Sequence, residues 1–216
     1  MENYKDTPQD RQNVNPFLHV WMHPKQTARF MIDVKSTDFA ILVLSIGYIG
    51  SLLSGLIDSN FMPELSPWII ALFCVILAPI VGIIGTAISA FIFWIFGKLF
   101  KGTATFSGLF KALSLSAVPF IALIPFYLIW LFTSPESLMD ANFIGSIPWI
   151  FWPTLLATLV VTIWSVVVTV GVVGEAHQIS NWKAFFTIFI PTIILGIVFF
   201  ILIMVLVIGI IGVGLM

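Results

Sequence analysis

The run "WIIALFCVILAPIVGIIGTAISAFIFWIF", residues 68–96, decides the fold class. It is 29 residues long and carries no Asp, Glu, Lys or Arg. In hydrocarbon every backbone N–H and C=O must be paired within the protein, so only helices or closed barrels cross a bilayer. Barrel strands alternate apolar and polar residues over ~10 positions, and this run does not alternate. As a straight helix it would be ~43 Å long at ~1.5 Å per residue. That is more than a ~30 Å hydrocarbon core needs. Tilt, a kink at Pro79 or interfacial ends must absorb the excess.

Four more charge-free runs flank it: 39–57, 112–135, 141–174 and 184–216. The whole chain of 216 residues is 60% hydrophobic and 9% charged, against ~25% charged in an average globular chain. Such a chain cannot clothe a soluble domain of this size. The reading is an all-α, polytopic membrane protein: a five-helix transmembrane bundle, with spans at about 39–57, 68–96, 112–132, 148–174 and 186–212. A short amphipathic cytoplasmic helix is expected ahead of the bundle. Residues 1–16 read as a flexible cytoplasmic tail, and 17–216 as one transmembrane domain. The first 37 residues are too polar for a cleaved signal peptide, so the first span is expected to serve as an uncleaved anchor.

Charge placement sets the expected topology. The nine cations are Lys5, Arg11, Lys25, Arg29 and Lys35, then Lys98, Lys101 and Lys111, then Lys183. The loops 58–67 and 133–147 hold Asp58, Glu64, Glu136 and Asp140 and no cation. With five spans, all nine cations fall on one side, which the positive-inside rule makes cytoplasmic. The expectation is a multi-pass cell-membrane protein with its N-terminus inside and its C-terminus outside.

Function classes narrow by what the runs lack. No Asp, Glu, Lys, Arg or His sits at the middle of a span, and such residues usually mark ion paths, proton relays or intramembrane catalysis. There is no HExxH pair and no P-loop. The single cysteine, Cys74, cannot form an intrachain disulfide. His19 and His23 are four apart, but Pro24 disfavours helical geometry at His23. The chain is therefore read as no enzyme, with no metal, no cofactor and no nucleic-acid partner.

Packing and kink residues can be placed in advance. Gly47, Ser51 and Gly55 recur every four residues in the first span, and Gly82, Thr86 and Ala90 do so in the second. Small-xxx-small faces let helix backbones approach, here for packing within the bundle, with a homo-oligomer as the sharper alternative. Pro119 and Pro125 should kink the third span, with Ser114 and Ser116 near enough to Pro119 to bind a freed carbonyl.

The charged segments are the candidate contact surface. "WMHPKQTARFMIDVK", 21–35, reads as an interfacial helix starting at Pro24, a good first-turn residue. Thr27, Met31 and Val34 lie on one side, and Arg29 is spaced to pair with Asp33 for a few tenths of a kcal/mol. The loop "GKLFKGTATFSGLFK", 97–111, holds Gly97, Lys98, Lys101, Gly102 and Lys111. In "GVVGEAHQISNWKAF", 171–185, Glu175 and His177 are placed to close a turn by local hydrogen bonds, with Lys183 beyond.

Three of these stretches carry a resemblance: "W-x-H-P-K-x-T-x-R" at 21–29, "FGKLFKGTATFSGLFKALSLSAVP" at 96–119 and "GVVGEAHQISNWKA" at 171–184. In order and spacing they resemble the Yip (Ypt-interacting protein) domain family of five-span membrane proteins, over about residue 17 to the end. Eukaryotic members carry an acidic, Tyr-Gly-Pro-like element before the domain and contact Rab-type GTPases. Here that region shows only "NPF" at 15–17, which is more similar to the bacterial branch. The resemblance implies an accessory or assembly factor for a larger membrane complex, such as an export system with ABC exporter subunits. On that reading the expected contact residues are Trp21, Pro24, Thr27 and Arg29 with the 97–111 and 175–183 segments. A small transporter or channel for a neutral or apolar solute, and lipid handling, are the alternatives.

Overall fold

In a computed structural model, residues 15–214 are described, apart from 61, 63 and 141. Among them the chain is helical, with no strand. Two short helices lead: α1, Pro16–His19, capped by the Asn15 side chain, and α2, Pro24–Asp33, which begins on its proline. Then come α3, Thr37–Ser54, and α4, Pro67–Leu99. Next is a broken span made of α5 (Phe106–Leu113), a 3₁₀ turn (Ser114–Ala117), α6 (Val118–Ile121) and α7 (Ile124–Thr133). A short α8, Pro135–Met139, precedes α9, Phe151–His177, and α10, Asn181–Gly214. Five segments are long and apolar enough to cross a membrane: α3, α4, the α5–α7 run Phe106–Thr133, α9, and α10 as far as Ile208. The tail through Val14 lies outside the described residues.

The boundaries differ from expectation at the third span. The sequence pattern predicts a loop over 97–111, but α4 continues through Lys98 to Leu99 and α5 already starts at Phe106. The Thr105 hydroxyl caps α5 by accepting from the Gly108 N–H at 3.1 Å, the usual way a helix satisfies a first-turn donor. Lys111 does not end the helix because its ammonium has acceptors: the backbone carbonyls of Ile32 and, at 3.0 Å, Lys35.

Proline breaks the third span, and the broken backbone is repaired locally. Leu115 would bond the N–H of residue 119 in an α-helix, but Pro119 has none. The chain tightens to 3₁₀ and the Val118 N–H takes the Leu115 carbonyl instead. Ser116 faces the same proline at i+3, and its carbonyl accepts from the Ser165 hydroxyl of α9 at 2.8 Å. Ser114 and Ser116, expected as repair groups, bond the carbonyls of Lys111 and Leu113 instead. The helix α4, by contrast, runs through Pro79 without interruption.

The broken span is central because α3 lies against it with almost no space between backbones. A Cβ on Gly47 would fall 2.4 Å from the Ala117 carbonyl oxygen, and one on Gly50 would fall 1.9 Å from that of Phe120. Gly47 and Gly50 therefore form the close approach. Of the expected stripe, Ser51 is half-buried and Gly55 is exposed as the α3 C-cap. On α4, Gly82, Thr86 and Ala90 are all buried, with Gly82 against the Tyr48 ring of α3. The last helix is different: only 6% of its apolar window is buried in protein.

The two ends of the bundle are chemically unlike. At one end the acidic loops pair, the Asp58 and Asn60 N–H groups donating to the Leu138 and Met139 carbonyls at 3.0 and 2.9 Å. At the other end sit α2, the α4–α5 turn and the α9–α10 turn, with every cation among the described residues.

Candidate functional site

The cation-bearing end is built by three segments far apart in the sequence. The helix α2 lies on α9 and α5, burying Thr27, Ala28, Phe30 and Met31. It is docked on protein over that face, where the sequence suggested a helix resting on the lipid surface. Its first turn fits because Gly171 has no side chain: a Cβ there would lie 3.1 Å from Pro24. Thr27 turns inward and its hydroxyl donates to the His23 carbonyl at 2.8 Å. Val34, expected on the same side as Thr27 and Met31, is 58% exposed. Trp21 is half-buried against the main core cluster.

Arg29 does not pair with Asp33. Its Nη2 and Nε reach one oxygen of Glu175, 146 residues away, at 2.7 and 2.8 Å. The Gln178 amide donates to the same oxygen at 3.1 Å and to the Glu175 carbonyl at 2.6 Å. Gln178 adopts a left-handed backbone conformation, φ 56°, that ends α9. Arg29 is 47% exposed and Glu175 11%. A half-exposed ion pair contributes ~0–1 kcal/mol, so its weight is in fixing where α2 sits.

His177 organises the centre. It is fully buried, and its Nε2 lies 3.1 Å from the Phe93 carbonyl oxygen, which requires that nitrogen to donate. The ring is clasped by two glycines. A Cβ on Gly97 would lie 2.2 Å from His177 Nε2, and one on Gly102 would lie 2.3 Å from its Nδ1. The His177 carbonyl accepts from the Thr103 N–H at 3.0 Å. So the histidine bridges α4, the α4–α5 turn and α9, rather than closing its own turn as the sequence suggested. The Ala104 carbonyl next door accepts from Trp94 Nε1 at 3.2 Å and from Lys98 Nζ at 3.4 Å.

The candidate contact residues thus divide. Thr27, Gly97, Gly102 and His177 are buried, while Arg29, Lys98, Lys101 and Lys183 are exposed. Lys111 is half-buried with both acceptors in place. The His19 and His23 rings lie 5.0 Å apart, and among the described residues no group of three or more His, Cys, Asp or Glu could hold a metal ion. The glycine clasp was hidden in the sequence; its only signal was glycines at 97 and 102, either side of two lysines.

Five apolar helices with a knitted polar end define a multi-pass, helical integral membrane protein. Residues 18–215 match the Yip1 domain, and the chain belongs to that family. No curated protein and no solved structure matches it.

Proposed function

We propose that this Yip-domain protein works through contacts rather than chemistry, as an accessory or assembly factor for a larger membrane complex such as an export system. The cation-bearing end is its docking face and lies in the cytoplasm of a cell whose membrane it spans, in line with the positive-inside rule. One observation carries this reading: α2, the α4–α5 turn and the α9 terminus are joined by the Arg29–Glu175 pair and the His177 clasp. The buried members set the shape, and exposed Lys101, Lys183 and the free edge of Arg29 are the groups a partner can touch.

The test is crosslinking and affinity purification from native membranes. Wild type should bring down a second integral membrane protein, and the double variant Lys101→Glu, Lys183→Glu should insert normally yet lose it. Recovery of wild type always alone, or an undiminished partner yield from the double variant, would sink the proposal.

A further inference from the structure

A cavity of about 860 Å³ opens between the start of α2, the end of α9 and the start of α10. It is amphipathic along its length. The rim is polar, with His23, Lys25, Gln26 and Arg29 on one side and Asn181 on the other. The inner wall is apolar, formed by Val166, Val167 and Val170 of α9 with Phe185 of α10. Val166 lies nine residues before Glu175, ~13 Å down the helix axis. That is deeper than the ~5–10 Å headgroup boundary layer, so a rim at headgroup level puts the wall at acyl-chain depth.

The rim has an excess of positive charge. Among the described residues that line it Glu175 is the only acid, and one carboxylate oxygen already holds Arg29 and Gln178. Among the described residues Lys25 makes no ion pair. The His23 side chain makes no cap for α2, so its first-turn N–H groups at this rim add partial positive charge. The inner wall, meanwhile, is open: Val166 and Val167 are 52% and 48% exposed, and the surface continues onto Phe186 and Phe189 of α10.

The geometry points to a binding site for an anionic phospholipid of the leaflet bordering this end. Lys25 and the outer edge of Arg29 take the phosphate, and an acyl chain lies along Val166, Val167 and Phe185. A free anion would use the rim and leave the wall uncovered; a neutral apolar solute would leave the cations unanswered. A charged lipid uses both. The site is argued from the cavity and not from partner docking, although both readings use the free edge of Arg29.

The test uses the purified full chain in detergent, titrated with phosphatidylglycerol or phosphatidylcholine of matched acyl chains, with bound lipid counted by native mass spectrometry. Wild type should take up phosphatidylglycerol preferentially. Lys25→Gln should weaken that uptake about fivefold, the contribution of one cation at an anionic headgroup, while Lys101→Gln, outside the cavity, leaves it unchanged. Val167→Trp, which fills the inner wall, should reduce uptake of both lipids. Equal uptake of the two lipids by wild type would overturn the assignment. So would equal losses in Lys25→Gln and Lys101→Gln, which mean diffuse surface attraction. So would displacement of phosphatidylglycerol by millimolar inorganic phosphate, which means a simple anion site. If Lys25→Gln does not fold, unchanged phosphatidylglycerol uptake by Val167→Trp still refutes it.

Discussion

Gly97→Ala should be among the most damaging methyl additions in this chain. The new Cβ would lie 2.2 Å from both Cε1 and Nε2 of His177 and 2.7 Å from its Cδ2. The ring cannot retreat freely, because Gly102 holds its far edge and Nε2 is tied to the Phe93 carbonyl. Forcing a methyl into a packed core costs ~1–3 kcal/mol, and ~1 kcal/mol moves the melting temperature of a 150–250-residue protein by about 2–4 °C. Thermal unfolding in detergent, followed by tryptophan fluorescence, should therefore drop by about 2–12 °C. His177→Ala alone should also destabilise, by removing the ring that fills the clasp. The decisive sample is the double variant. With the ring gone, the methyl added at position 97 occupies vacated space, so the pair should be no less stable than His177→Ala alone. Residues in contact couple by ~0.5–3 kcal/mol in such cycles. If the two losses simply add, or if Gly97→Ala melts with wild type, the clasp does not exist as described.

Further outcomes follow from the same structure. Gly50→Ala should destabilise strongly, since its Cβ would meet the Phe120 carbonyl at 1.9 Å, whereas Gly196→Ala, with nothing within 4 Å, should be neutral or raise the melting temperature. Ser165→Ala removes the donor to the half-buried Ser116 carbonyl and should cost ~0.5–1.5 kcal/mol, the net worth of one hydrogen bond, read from the same melts. Lys111→Met leaves the Ile32 and Lys35 carbonyls without their shared donor; amide hydrogen exchange in α2 should accelerate while that of α9 stays unchanged.

The spans were legible because lipid enforces a simple rule, and charge-free runs mark where it applies. That rule failed where a charge is satisfied inside a helix: Lys111 hid the first turns of α5 because its acceptors come from 76–79 residues away. The start of α2 at Pro24 was legible from local chemistry, but the partner of Arg29 was not. Asp33 satisfies the helical spacing rule, yet Glu175 wins because α2 lies against α9. The same limit hid the site. The glycines at 47, 97, 102 and 171 all matter for what stands opposite them, and only Gly47 sat in a spacing pattern that sequence reasoning could recognise.

The Arg29–Glu175 pair also sets an order of events during synthesis. At ~5–20 residues per second, the 146 residues between the partners take roughly 7–30 s to emerge. During that interval α2 and α5 are made, but the α9 surface that completes the cover of α2 is not. Nascent chains halted before residue 175 should label more readily at Thr27 and Met31, through introduced cysteines, than chains halted beyond the α9–α10 turn. The far-reaching pair thus makes completion of the fourth span a checkpoint: until it is in place, the chain displays a surface that a protease or chaperone can recognise as unfinished.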